Sequence, residues 1–154
     1  NSIDFKNLKT IKSSIEIKNK IVLKDRKELK ERKALNFGHT LGHAIESLFL
    51  ENNKRLLHGE AIGIGIVLEA FISNKIFDFP IDKLTKIKNH ILKIFNRFDF
   101  TKSEIDNIIK LLIHDKKNTH GKVNFILLKD IGQPIYDIEV ENNLILESFN
   151  YYSN

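Results

Sequence analysis

Apolar residues recur at spacings of three and four along most of the chain, and that period predicts a mainly helical protein. Leu8, Ile11 and Ile15, followed by Ile21 and Val22, predict a first helix running to Lys24. A second is expected over residues 30–50, with Phe37, Leu41, Ile45 and Leu48 on one face, and the polar stretch 51–55 reads as the loop that follows. His58-Gly59 opens a third helix that continues through Ile76 and stops at Asp78-Phe79-Pro80. Its apolar residues leave no polar stripe, so it is expected to be buried, with Gly63 and Gly65 as small packing residues. Leu84, Ile87, Ile91, Leu92 and Phe95 mark a fourth helix. Ile105, Ile108, Ile109, Leu112 and Ile113 mark a fifth, capped by Thr101 or Ser103. The one clear strand signal is residues 123–128, expected to pair with 135–140 across a turn containing Gly132 and Pro134, before a short last helix over 143–149. The expected fold is therefore mainly α, a multi-helix domain over residues 1–154 with a small β-hairpin near the C-terminus. No internal repeat or linker divides it.

Composition narrows this only a little. A chain of 154 residues with 42% hydrophobic content can bury a core, and the absence of cysteine excludes disulfides and thiolate metal sites. The apolar run 61–68 is interrupted by Glu69 and is too short to span a bilayer, so no membrane association is expected, and a cytoplasmic location is. The formal charge is +5, but the lysines are interleaved with Asp and Glu and form no stripe with aromatics between them. A solvated basic surface explains them better than nucleic-acid binding, although a local positive cluster would still attract an anionic substrate.

The chemistry is concentrated in residues 32–46, reading RKALNFGHTLGHAIE, and in Leu57-His58-Gly59-Glu60-Ala61. If residues 30–50 are one helix, Arg32, Asn36, His39 and His43 share an arc of about 60°. A guanidinium, an amide and two imidazoles suit anion binding and metal or proton chemistry better than they suit a solvated face. A single His pair at i and i+4 is commonly structural, but a third His from a separate segment is what a metal site needs, because ligands must converge from different elements. Gly38 and Gly42 each weaken a helix by about 1 kcal/mol relative to Ala, which implies that something packs close to the backbone there. Gly63 and Gly65 lack the preceding strand and third glycine of a dinucleotide fingerprint.

The string from Leu35 to Glu46 followed by His58-Gly59-Glu60-Ala61 resembles the signature of the 3-dehydroquinate synthase family. Lys18, Ile21-Val22, Asp25, Glu28 and Arg32 upstream match that family in order and spacing. So do Asp115-Lys116-Lys117, Gly121, the run 123–128 and Ile131-Gly132 downstream. The resemblance implies a lyase of aromatic amino acid biosynthesis that converts 3-deoxy-arabino-heptulosonate 7-phosphate to 3-dehydroquinate and phosphate, using NAD and zinc, or cobalt in its place. It also implies a homodimer. In the family a nucleotide-binding α/β domain precedes the part seen here and supplies a metal-binding glutamate. This chain starts at Asn1 and has no Met, so it is expected to be the C-terminal part of a two-domain enzyme, inactive alone.

The resemblance assigns roles position by position. His39 and His58 match metal ligands, which overrides the pairing of His39 with His43 that helical spacing offers. His43 matches a catalytic residue beside the departing phosphate, and Glu28 a residue that orients basic groups. Lys18 and Arg32 match residues on the substrate carboxylate, Asn36 one near the phosphate and hydroxyls, and Lys116 or Lys117 a phosphate-binding cation. Glu60 is expected to cap its own helix, and His90, His114 and His120 to be surface residues. Two other readings stay open. A sibling sugar-phosphate cyclase making an inosose or valiolone would keep the metal and NAD but alter the carboxylate-binding residues. The other is a non-catalytic helical interaction domain, a remnant whose nucleotide-binding half has been lost.

Overall fold

The computed structural model describes residues 7–50, 56–118 and 123–154, with the backbone alone at 114–118. The expected loop at 51–55, and His120 and Gly121, lie outside the described residues. Two compact units are distinguished, Asn1–Asn36 and Phe37–Asn154.

The first unit is built on helix α1, Leu8–Lys24, which starts where the Asn7 side chain accepts the Lys9 N–H at 2.9 Å. None of its residues is buried. After it the chain turns back on Asp25, whose carboxylate accepts the backbone N–H groups of Leu29 (3.0 Å), Lys30 (2.7 Å) and Arg32 (3.1 Å). Glu28 takes a left-handed φ of 56°, and a 3-10 turn over Glu31–Asn36 closes the unit.

One helix over residues 30–50 is therefore not what forms. The 3-10 turn ends at Asn36, Gly38 adopts φ +83°, and the motif helix α2 begins only at His39 and runs His39–Leu50. An amide bound to Asp25 cannot also enter a helical ladder, and a left-handed residue breaks one. Arg32 and Asn36 consequently do not share a helical stripe with His39 and His43.

In the second unit, α2 packs on α3 (His58–Phe77), the long apolar helix expected to be buried. Leu57 N–H donates to Glu60 Oε2 at 2.8 Å, so Glu60 caps its own helix. At the other end Asp78 is left-handed and Phe79 N–H returns to the Ser73 carbonyl. Helix α4 (Ile81–Phe95) is amphipathic, and α5 (Lys102–Asn118) opens with a capping box in which Thr101 and Glu104 exchange bonds. Strands β1 (Phe125–Asp130) and β2 (Gln133–Ile138) form an antiparallel hairpin, and α6 (Asn142–Ser153) ends the chain. The hairpin sits about two residues from its expected place. Its turn is just Ile131-Gly132, with Gly132 at φ +79°, so Pro134 lies in β2 opposite Leu128 and not in the turn. The last helix runs longer than expected because Phe149 and Tyr152 are both fully buried.

The core joins Leu41, Ile45 and Phe49 of α2 to Val67, Leu68 and Ile72 of α3, with Ile108 of α5, Leu127 of β1 and Phe149 of α6 closing it. No helix among the described residues is long and apolar enough to cross a membrane. The consequence for chemistry is that α2 and α3 are locked face to face, with His39 and His43 on one and His58 at the start of the other.

Candidate metal centre

Three glycines bring α2 and α3 unusually close. A Cβ at Gly65 would stand 2.0 Å from the Gly38 carbonyl oxygen and 2.8 Å from Gly42 N, and one at Gly42 would stand 3.2 Å from the Ala61 carbonyl oxygen. That approach carries the His43 end of α2 toward the first residue of α3. The imidazoles of His39, His43 and His58 meet there, each offering a nitrogen within 4.8 Å of the others. Ring centroids are 5.2 Å apart for His39 and His43, 6.1 Å for His39 and His58, and 5.9 Å for His43 and His58.

Two of these rings are held through Nδ1. His39 Nδ1 lies 3.3 Å from the Phe37 carbonyl and His58 Nδ1 lies 2.9 Å from Glu46 Oε2. A carbonyl and a carboxylate only accept, so in the neutral ring each Nδ1 carries the proton and leaves the lone pair on Nε2. Imidazole nitrogens converging from two elements, with no thiolate nearby, are the kind of donors that suit a zinc or cobalt ion with a position left open. The residues present thus fit a divalent metal. Partial burial, with the neighbouring His39 imidazole acting in the same direction, holds His43 below the ordinary imidazole value, which favours its neutral form and a free lone pair.

The other expected residues are placed as follows. In the first unit Glu28 binds two of its neighbours, with Oε2 3.3 Å from Arg32 Nε and Oε1 accepting from Asn36 Nδ2 at 2.6 Å. Arg32 also donates through Nη1 to the Arg26 carbonyl at 3.1 Å, which fixes its guanidinium. Lys18 is exposed on α1. Lys116 and Lys117 lie in the last turn of α5, and their side chains are outside the described residues, as is that of His114. His90 is exposed on α4.

Two acidic residues that the sequence reading gave no role matter here. Glu46 is the partner of His58. Glu69, fully buried on α3, accepts the N–H of Gly38 at 2.7 Å and of Leu41 at 3.2 Å, on either side of His39. Burial lifts its carboxyl from 4.5 to about 8, against the amides of Gly38, Leu41 and Thr40, which favour the anion. The folded protein therefore keeps this proton where the unfolded chain has released it. The stabilisation is complete below about pH 4.5 and lost as pH rises through about 8. Chemical denaturation between pH 5 and 8.5 is expected to show this loss, on the order of a few kcal/mol, and Glu69→Gln is expected to flatten it. An unchanged slope in the variant would remove Glu69 as its source.

Residues 3–118 match the family described as 3-dehydroquinate synthase C-terminal. Among curated proteins, the 3-dehydroquinate synthase of Parabacteroides distasonis is 41% identical over 119 residues, covering 77% of this chain and 34% of the relative. That of Leptospira interrogans is 37% identical over 113 residues, covering 73% and 30%. The chain thus spans about a third of the length of these relatives. A solved 2-deoxy-scyllo-inosose synthase, complexed with carbaglucose-6-phosphate, NAD+ and Co2+, superposes with a TM-score of 0.73 at 32% identity, covering 92% of this chain and 39% of that one. A 2-epi-5-epi-valiolone synthase from Streptomyces hygroscopicus with NAD+ and Zn2+ bound shares the fold, with a TM-score of 0.75 at 18% identity, covering 95% and 40%.

Proposed function

The chain belongs to the 3-dehydroquinate synthase family through its C-terminal domain, and from that premise we propose that residues 1–154 are the metal- and substrate-binding part of such a synthase, which eliminates phosphate from 3-deoxy-arabino-heptulosonate 7-phosphate and recloses the product as 3-dehydroquinate. The observation that carries this reading is the convergence of His39, His43 and His58 at the α2–α3 contact. The rest of the enzyme, a nucleotide-binding domain, belongs to the same proposal, as do a homodimeric assembly and a cytoplasmic location.

When bound, the metal would supply Lewis acidity and a template for substrate oxygens, and NAD would supply reversible hydride transfer. What this chain contributes is holding, orientation and proton movement. His39 and His58 would hold the metal through Nε2, their Nδ1 atoms being turned to the Phe37 carbonyl and Glu46. His43 shows no such tie among the described residues, so its imidazole serves the proton transfer that accompanies departure of phosphate. Arg32 offers a fork to the substrate carboxylate, and Glu28 keeps that fork and the Asn36 amide from rotating. Lys18 adds charge for the carboxylate and Lys116 or Lys117 for the phosphate, on the strength of the resemblance alone.

His43→Ala in the full-length enzyme is expected to keep its zinc while turnover falls by roughly 10²–10⁴-fold. Loss of zinc as well would make His43 a third ligand, an arrangement the shared 4.8 Å spacing also accommodates. The reading as a whole is tested by phosphate release from 3-deoxy-arabino-heptulosonate 7-phosphate by the full-length protein with NAD and zinc. Release that chelation abolishes supports it. Release only from sugar phosphates lacking a carboxylate would move the chain to the inosose or valiolone synthases, and no release from any would leave a non-catalytic remnant.

A further inference from the structure

We propose that Glu46 is the positioning residue of His58, holding its Nδ1 proton so that Nε2 faces the metal. The inference rests on the metal-centre reading above and assigns to it a residue outside the ligand set. His58 is the first residue of α3 and its side chain is 57% exposed, so packing does not fix the ring. Gly59, next to it, offers no wall, since even an added Cβ there would meet only Phe95 at 4.0 Å. Glu46 is the better anchored of the two, 23% exposed and set in α2 one turn beyond His43. Its Oε2 reaches across the helix contact to His58 Nδ1 at 2.9 Å. His39 meets the same requirement from the neighbouring backbone through the Phe37 carbonyl, whereas among the described residues the Nδ1 partner of His58 is the Glu46 side chain.

An exposed His–Glu pair contributes little to stability by itself, so folding does not account for the arrangement. In a metal site the same bond has a larger effect, because it selects the tautomer, sets the ring's direction and raises its basicity. Glu46 does not belong to the group of nitrogens that share the 4.8 Å spacing, which is formed by the three histidines. It acts through His58, and not as a ligand.

The test is zinc affinity, measured on the metal-free full-length protein by competition with a chromophoric chelator, alongside thermal melting without metal. Glu46→Ala is expected to weaken zinc binding about 10–100-fold while the metal-free melting temperature stays near wild type. Glu46→Gln keeps an oxygen that accepts the Nδ1 proton, and is expected to restore most of the affinity. Wild-type affinity in Glu46→Ala would overturn the proposal, and so would Glu46→Gln as weak as Glu46→Ala, since the carboxylate would then act by charge or ligation. If Glu46→Ala melts early, Glu46→Gln alone decides. A wild-type protein that binds no zinc would instead overturn the metal centre itself.

Discussion

His39→Ala is expected to strip the metal from the protein and reduce turnover of the full-length enzyme to background. Among the three imidazoles, His39 is the one both half-buried and tied to the backbone at Phe37, so its nitrogen is the least free to move and the least replaceable by water. Structural zinc sites with four ligands bind with about 10–16 kcal/mol, which apportions to roughly 3 kcal/mol or more per ligand. Removing one therefore weakens affinity by at least about two orders of magnitude. Of the two proposed ligands on this chain, His58 alone would then remain. Metal content after dialysis and chelator competition measure this directly. His90→Ala, exposed on α4 and outside the cluster, is the control and is expected to retain wild-type zinc. His39→Ala protein that retains a full equivalent of zinc would end the assignment of these histidines as the metal centre.

The contrast between the two histidine pairings shows what the sequence could reveal. Spacing on one helix pairs His39 with His43, and the structure does set their rings 5.2 Å apart. His58, fifteen residues beyond His43, cannot be placed beside them by periodicity; the need of a metal site for ligands from separate elements makes it a candidate, and the family resemblance pairs it with His39. Elements whose apolar period matches the side they bury, such as α3 and α4, are legible because local and tertiary preferences coincide there. The start of the motif helix was not, because its outcome depends on Asp25 capturing three amides and on Gly38 turning left-handed, both of which compete with helix formation. Arg32 and Asn36 were thereby read onto a face they do not share. The signal is present in Asn36-Phe37-Gly38, where the glycine serves a left-handed turn as well as close packing. In the sequence Glu69 is only an interruption of an apolar run, because nothing in a single sequence shows which amides a buried carboxylate will meet.

Gly65→Ala is expected to have the largest effect on the fold of any single methyl added to this chain. The new carbon would stand 2.0 Å from the Gly38 oxygen and 2.8 Å from Gly42 N, and these two atoms are themselves joined by the first helical bond of α2 at 3.1 Å. Neither is the end of a flexible side chain, so the two helices must part. Overpacking of this kind costs about 1–3 kcal/mol in a core that can yield by moving side chains, and here the backbone must move instead. Parting also draws Gly38 and Leu41 away from Glu69, one turn further along α3, and a buried carboxyl left without its donors adds roughly 1–3 kcal/mol. A total near 4 kcal/mol or more is a large share of a domain's typical stability of about 5–15 kcal/mol, and lowers the melting temperature by about 10 °C or more. Zinc affinity falls with it, since His39 and His43 move with α2 while His58 stays on α3. Two other glycines separate the steric cause from a general cost of losing glycine. Gly59→Ala, with only Phe95 at 4.0 Å, is expected to be tolerated. Gly132→Ala meets nothing within 4 Å but is held at φ +79°, so it is expected to cost only about 1 kcal/mol and leave the metal untouched. If Gly65→Ala melted within a degree or two of wild type and bound zinc as tightly, the α2–α3 contact could not be as close as the approach of Gly38 to Gly65 requires, and the convergence of the three histidines would lose its cause.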